Sequence, residues 1–548
     1  MAAAPIDSLI TTPSEAASAT STLLAALRDP AIYPHAVERI EVLETHISWV
    51  ILTGLYAYKI RKPVNLEFLD FRTLESRRHD CEEELRLNRR LSPALYAGVA
   101  PITGDPAHPE FNGGGPVIEY AVKMREFPQQ ALASRLLDSS ALNATHFDAL
   151  AKRLAAFHLE AGIAATGCPY GSPESVLGPV RDSFDQIGRL LPDGADQVRL
   201  AELRAWTERE YHALWSHFRV RQAQGNVREC HGDLHLENIV MLDGALIPFD
   251  CIEFSPAMRW IDVMSDVAFL FMDLTHHGRT DFAYRFLNAY LDASGDYAGL
   301  AVLRFYRVYR AMVRAKISAI RSWQGSGSAK DCKLKATRDY IDLAGRFARD
   351  GQAAMVLMHG LSGSGKSQLA QYLSDHLGAV QLRSDRERKR LCGLAPMASS
   401  DSPPAAGIYS ANLTEATYHR LLDLARLCLV AGHVAVIDAT CLKRWQRDLF
   451  RREATARGIP FVIVQTTAPE AILRARIAAR LAAHDNVSEA DQAVLTHQLA
   501  QVEALTQEEL TLTLPIDTAG GDAVSCAMAA LPRVRARLAE EHIKPKPQ

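Results

Sequence analysis

Two separated runs in this 548-residue chain have the residue types and spacing that phosphate chemistry requires. The first is His231-Gly232-Asp233-Leu234-His235-Leu236-Glu237-Asn238, followed by an apolar hairpin turning at Asp243-Gly244 and then by Phe249-Asp250. Asp233 is placed to accept a hydroxyl proton, while Asn238 and Asp250 are spaced to meet across the hairpin and hold Mg²⁺ between phosphates. The second run is Gly360-Leu361-Ser362-Gly363-Ser364-Gly365-Lys366-Ser367, which has the spacing G-x-x-x-x-G-K-[ST]. Its backbone N–H groups can wrap phosphates at Gly360, Gly363, Ser364 and Gly365, with Lys366 neutralising charge and the Ser367 hydroxyl reaching Mg²⁺.

Each run has candidate helpers. Val434-Ala435-Val436-Ile437 reads as an apolar strand ending in Asp438, where an α/β site holds a metal or its water; a strand-end aspartate also caps loops. Asp385 and Arg388 stand about one helical turn apart, so a carboxylate able to take a hydroxyl proton sits beside a guanidinium able to hold an anionic substrate group. Capping of a helix by Ser384 or Asp385 is the other reading. Arg476 and Arg480, at i and i+4, either clamp phosphates together or form a solvated basic face.

Upstream of Asp233, an ATP-facing lysine is expected on a strand. Lys59 in Tyr58-Lys59-Ile60 meets that need, with Lys62 as competitor, and Glu82-Glu83-Glu84 offers a helical partner, of which Glu84 is preferred. Those acids could instead serve the helix dipole. The run 115–124 reads as the strand leading to the segment that contacts adenine, which places Met124 beside the nucleotide. Where a kinase would carry a glycine-rich cover, this chain has Glu44-Thr45-His46-Ile47-Ser48. The Thr45 and Ser48 hydroxyls, or local N–H groups, are expected to replace glycine contacts, and His46 to have a structural hydrogen bond.

The elements that must position these residues follow from periodicity. β-branched and aromatic residues from 41 to 64, broken at Thr53-Gly54, predict a hairpin; 74–91 predicts a helix ended by Ser92-Pro93. A mostly helical region from 128 to 345 is interrupted near 227–254. Helical periodicity breaks again around Trp323-Gln324-Gly325-Ser326-Gly327-Ser328 and resumes to Asp350-Gly351. Beyond it, apolar strands at 355–359, 434–437 and 461–464 alternate with helical segments, which predicts a parallel α/β sheet. The expected order is a flexible leader at 1–25, an α+β bilobal domain at 26–349 and an α/β domain at 350–548. No internal repeat is present.

Composition bounds the partners. Sixty-one basic against 64 acidic residues give a net charge of −3, so no global field draws nucleic acid or an anionic membrane. Nine scattered cysteines without a C-x-x-C pair argue against a disulfide framework or structural zinc and for a reducing cytoplasm. No charged n-region and no run of about 18 apolar residues is present, so a soluble protein is expected.

Gly360 to Ser367, Ser384-Asp385-Arg386-Glu387-Arg388, Asp438-Ala439-Thr440 with Arg447, and Arg476 with Arg480 resemble the P-loop kinases related to phage polynucleotide 5′-kinase and to gluconate and chloramphenicol kinases, over most of 353–535. The resemblance implies Asp385 as general base, Arg388 as a substrate phosphate contact and Arg476 and Arg480 as lid arginines. The run from His231 to Asn238 with Phe249-Asp250 resembles the aminoglycoside phosphotransferase-like branch of the protein kinase fold, over about 40–320. That resemblance implies Asp233 as base, Asn238 and Asp250 as metal ligands, and Asp266 as a supporting carboxylate. Together they imply a fused protein using ATP and Mg²⁺ to phosphorylate hydroxyl groups of small molecules. A P-loop kinase governed by a nucleotide-binding first half is the alternative.

Overall fold

Alternating apolar residues and two tight turns fold the early chain into an antiparallel meander. The computed structural model describes residues 15–66, 69–191, 194–323, 328–349, 351–394, 407–482, 491–520 and 522–543. Helix α1 (Glu15–Ala26) precedes strands β1 (Glu41–Glu44), β2 (Ser48–Leu52) and β3 (Tyr56–Arg61). Short strands β4 (Asn65–Leu66) and β5 (Leu69–Asp70) lead to α2 (Leu74–Asn88), then to β6 (Tyr96–Asp105), β7 (His108–Phe111) and β8 (Val117–Arg125). The result is a six-stranded sheet in the order β1-β2-β3-β8-β6-β7, richer than the single hairpin and strand expected. At Thr53-Gly54 the hairpin turn is real: Gly54 has φ +94° and both N–H groups donate to Glu126, at 2.9 and 2.8 Å.

The expected flexible leader is corrected in its second half. Residues 15–26 form α1, whose Leu23, with Leu27 one turn on, is buried in a cluster with Tyr58, Ile60 and Phe111; residues 1–14 lie outside the described residues. Leucines four apart give this alanine-rich segment an apolar stripe that the sheet covers.

The helical stretch comprises α3 (Ala133–Asp138), α4 (Ala144–Glu160), α5 (Pro173–Leu190) and α6 (Ala195–Ala223). It breaks at β9 (Val227–Glu229), β10 (Ile239–Leu242), β11 (Ala245–Pro248), α7 (Pro256–Arg259) and β12 (Trp260–Asp262). It resumes as α8 (Val263–His276), α9 (Thr280–Ser294), α10 (Leu300–Trp323) and α11 (Ser328–Arg349); residues 324–327 and 350 lie outside the described residues.

The last third alternates strand and helix: β13 (Ala354–His359), α12 (Lys366–Leu377), β14 (Ala379–Arg383), α13 (Ser384–Leu391), α14 (Ala411–Val430), β15 (Val434–Asp438), α15 (Arg444–Arg457), β16 (Phe461–Thr467), α16 (Glu470–Ala482), α17 (Gln492–Gln501), α18 (Gln507–Thr511), β17 (Thr513–Asp517) and α19 (Ala523–Ile543). Its five strands are all parallel, in the order β14-β15-β13-β16-β17. Every residue of central β13 is buried, as a strand covered on both faces requires. Register pairs Arg383 with Asp438 and Leu357 with Ile437, bringing the carboxyl ends of β14, β15 and β13 to one edge. Such an edge is where open parallel sheets bind ligands.

Two compact units interleave along the chain. One contains Met1–His146, Glu160–Gly171 and Gly225–Asp266; the other contains Phe147–Leu159, Ser172–Gln224 and Val267–Gln548. Helices α9, α10 and α11 therefore share a unit with the parallel sheet. No helix among the described residues is long and apolar enough to cross a membrane.

Candidate active sites

In the first unit, strand alternation sends Tyr58 and Ile60 into the cluster with α1, and Lys59 and Arg61 to the opposite face. Helix α2 meets that face with a buried stripe of Arg77, Asp80, Cys81, Glu84, Leu87 and Asn88, spaced three and four apart. A mostly polar stripe can be buried only if it is paired. Lys59 Nζ donates to Glu84 at 2.9 Å and to Asp250 at 2.7 Å; Arg61 bonds Glu84 and Glu253 and lies 2.6 Å from Asp80. Of the three consecutive acids, Glu82 pairs with exposed Arg78, Glu83 pairs with Arg86, and only Glu84 reaches Lys59. Lys62, the competitor, reaches exposed Glu44.

Four carboxylates here face two cations. Burial pushes Glu253 up to about 8 although Arg61 pulls it down, and burial likewise raises Asp80. For Asp250 burial also pushes upward, but Lys59 outweighs it and the carboxyl lies below its usual range. Burial depresses Lys59, yet Asp250 and Glu84 leave its ammonium above its ordinary value. The surplus of carboxylate oxygen beside Asp250 suits a hard divalent cation.

The catalytic-type loop is held from several sides. Asp266 accepts from the N–H groups of His231 and Gly232, at 2.7 and 2.9 Å. The His231 ring bonds the Phe249 carbonyl at 2.8 Å and accepts from the Asp233 N–H at 3.3 Å, so it is neutral with its proton on Nε2; burial lowers its pKa accordingly. Asn238 Nδ2 and the His235 ring both reach Asp233 Oδ2, at 3.0 and 3.2 Å, which leaves the side-chain oxygen Asn238 Oδ1 for another ligand. Asp250 has φ +62°, a conformation pinned by Tyr96, whose hydroxyl accepts its N–H, and by Asn88, which accepts the N–H of Cys251. Met124, the penultimate residue of β8, is buried on the Lys59 face of the sheet with Leu52, Ala57 and Val240.

The two hydroxyls in this turn already have partners: Thr45 Oγ1 donates to the Ser48 carbonyl at 3.0 Å, and Ser48 Oγ accepts from Arg61 at 3.0 Å. Thr45 thereby closes the β1–β2 turn and Ser48 meets a buried guanidinium.

In the second unit the phosphate loop follows β13 directly. Gly360 (φ +149°) and Gly363 (φ +82°) could not carry a side chain, because a Cβ would lie 2.5 Å from Thr466 and 2.7 Å from the Leu473 carbonyl respectively. Ser364 Oγ is 2.7 Å from Thr466 Oγ1, and Gly365 (φ +81°) is the N-cap of α12. Lys366 Nζ donates to the Leu361 carbonyl at 2.7 Å, and burial pulls its pKa down to about 8. Ser367 Oγ donates to Asp438 Oδ1 at 3.1 Å, while Gln381 Nε2 donates to Asp438 Oδ2 at 2.9 Å; burial raises this carboxyl. A buried ammonium without a carboxylate partner among the described residues, next to a hydroxyl–carboxylate pair, fits a polyphosphate with Mg²⁺.

These groups open on a cavity of about 760 Å³ whose wall also contains Asp385, Arg388, Arg476 and Arg480. Asp385 lies in the first turn of α13 without a side-chain cap bond at that terminus, so helix capping does not explain it. Arg388 is 7% exposed; it donates to the Ile408 carbonyl and Thr414 Oγ1, and no carboxylate pairs with it among the described residues. Arg476 donates to Thr518 and to the Gly363 carbonyl rather than standing in solvent, and Arg480 is half-buried. Arg447 is spent on Glu509 and on loop carbonyls.

Three uncharacterized proteins, from Mycobacterium bovis and two strains of Mycobacterium tuberculosis, are each 31% identical over 485 residues, covering 88% of this chain and 93% of theirs. The chain belongs to their family. Within this family arrangement residues 68–306 match the phosphotransferase enzyme family and 355–505 match an AAA domain. The chain thus has an aminoglycoside phosphotransferase-type kinase domain followed by a P-loop kinase domain built on the five-stranded parallel sheet. Among solved structures it is similar to a gluconokinase from Sinorhizobium meliloti (22% identity, 35% of this chain, 99% of that one, TM-score 0.26) and to a choline kinase from Cryptosporidium parvum (12%, 60% and 96%, TM-score 0.36).

In this two-domain family member, sequence reasoning missed Arg61, Asp80, Glu253 and Gln381. Arg61 was detectable: it shares the strand parity of Lys59, and Asp80 precedes Glu84 by four.

Proposed function

We propose that the protein is an ATP- and Mg²⁺-dependent phosphotransferase with two nucleotide sites, each passing the γ-phosphoryl group to an alcohol of a small molecule. The observation that carries this reading is the shared cavity in which Lys366, the Ser367–Asp438 pair and Asp385 converge. Gly360, Gly363, Ser364, Gly365 and Lys366 would hold the phosphates, and Ser367 with Asp438 the metal, which when bound screens charge between phosphate oxygens. Asp385 would take the acceptor proton, with Arg476 and Arg480 neutralising the transferring group. Cavity walls carrying Lys366, Arg383, Arg388, Lys443, Arg476 and Arg480 against Asp385 and Asp438 favour an acceptor that itself bears an anionic group. Arg388 is the side chain assigned to that group.

In the first site Asp233 would be the general base, Asn238 and Asp250 the metal ligands, Lys59 with Glu84 the phosphate contact, and Met124 a neighbour of the adenine ring. The occupied Thr45 and Ser48 hydroxyls favour a second reading for this half, a nucleotide-binding module that controls the other. Nine free cysteines support a cytoplasmic setting.

Mass spectrometry on a metabolite extract incubated with the intact protein, ATP and Mg²⁺ tests this. A phosphorylated product is expected, lost in Lys366→Ala for one acceptor and in Asp233→Ala for the other. Turnover untouched by both substitutions overturns the reading; loss with Lys366→Ala alone leaves the controlling-module reading for the first half.

A further inference from the structure

We propose that helix α9, which lies in the segment matched to the phosphotransferase family, fixes the metal carboxylate of the phosphate-loop site, with Asn288 and Gln381 as positioning residues. This rests on reading that site as one for Mg²⁺ and ATP. Strand β14 is the edge of the parallel sheet, and an edge strand presents main-chain groups without a neighbour. Asn288 supplies what a sixth strand would: its Nδ2 donates to the Ala379 carbonyl and its Oδ1 accepts the Gln381 N–H, both at 2.9 Å. The Gln381 side chain then donates to Asp438 Oδ2 at 2.9 Å, and Asp438 Oδ1 accepts from Ser367. An unbroken series of hydrogen bonds so joins α9 to the phosphate loop, with Asn288, Gln381 and Asp438 only 6%, 5% and 4% exposed.

The same face of α9 grips the rest of the site. One turn after Asn288, Asp292 lies 2.9 Å from Arg386 Nε, and its carbonyl accepts from Arg390 at 2.7 Å; both arginines belong to α13, the helix of Asp385 and Arg388. One turn before it, Arg285, paired with Asp148 at 2.6 Å, also lies 3.5 Å from Asp375 on α12, the helix that starts at Lys366. Positions 285, 288 and 292 thus form one polar stripe touching the three elements that carry the site. Apolar side chains would join a helix to a sheet at lower desolvation cost, so directional bonds here serve orientation.

The test is ATP binding by the full-length protein, titrated against Mg²⁺. The isotherm of interest is the one abolished by Lys366→Ala. Asn288→Ala is expected to raise the Mg²⁺ concentration for half-maximal binding about 10-fold, leaving Mg²⁺-free ATP binding unchanged. Gln381→Leu keeps the main-chain bonds to Asn288 but removes the amide from Asp438, so it should give the same shift, and the double variant no more than either single one. If Asn288→Ala does not fold, Gln381→Leu alone decides. Mg²⁺ midpoints within about twofold of the wild type in the folded variants overturn the proposal. A wild-type isotherm that survives Lys366→Ala instead overturns the site's assignment to ATP.

Discussion

Lys59 and Lys366 are the same residue type put to the same proposed use in opposite electrostatic states. Lys59 is clamped by Glu84 and Asp250, so a phosphate entering the first site must compete with carboxylates already in contact with the ammonium. Lys366 bonds a carbonyl, among glycines that admit no side chain, and burial makes its charged form costly until an anion arrives. The first arrangement is stable when empty and pays to open; the second stores its cost in the empty state and is relieved by ligand.

The comparison breaks most directly at Glu84. Glu84→Gln removes the one buried carboxylate that bonds both Lys59 and Arg61, leaving Asp250 to the first and Glu253 and Asp80 to the second, and should cost about 3 kcal/mol, measured as a lowered denaturant midpoint for the first unit. A loss below about 1 kcal/mol would mean that the clamp does not stabilise the empty site. Next in size, Lys366→Ala should weaken second-site transfer about 10²–10³-fold while the first-site nucleotide isotherm keeps its midpoint.

A pH titration sharpens the contrast. In the empty second site Lys366 loses its proton near pH 8 and phosphate binding needs that proton, so ATP affinity should fall as pH rises through about 8, approaching about tenfold per unit. Lys59 titrates above its ordinary value, so its own charge holds from about pH 7 to 9, and the first-site dependence expected in that range is the shallower one of Glu253, which ionises near 8. Equal pH profiles for the two isotherms would erase the distinction. The smallest effect is expected for Lys62→Ala: its partner Glu44 is exposed, and the change should shift stability by less than about 1 kcal/mol with both isotherms retained.

Legibility followed sequence distance. The phosphate loop, Ser367 and the strand-end Asp438 were readable because strand, turn and helix lie next to each other in the chain and each leaves its own period. Asp233, Asn238 and Asp250 were readable because one hairpin turn, Asp243-Gly244, brings them together. Choosing Glu84 over its two acidic neighbours needed the helix face turned to β3, which strand parity and helix period constrain without fixing. The partners of Thr45 and Ser48 were not readable, since what reaches a hydroxyl is set by tertiary neighbours, here Arg61 from another strand.

By itself the sequence determined two sets of candidate phosphate-binding groups, a bilobal α+β region and a parallel α/β region, because local periodicity and motif spacing survive without contacts. Only the tertiary structure decided that Lys59 is tied down while Lys366 is not, and that Asn288 completes the edge of a sheet 91 residues further on. Burial and pairing set the state of a charge, and both are properties of neighbours that the chain brings together only on folding.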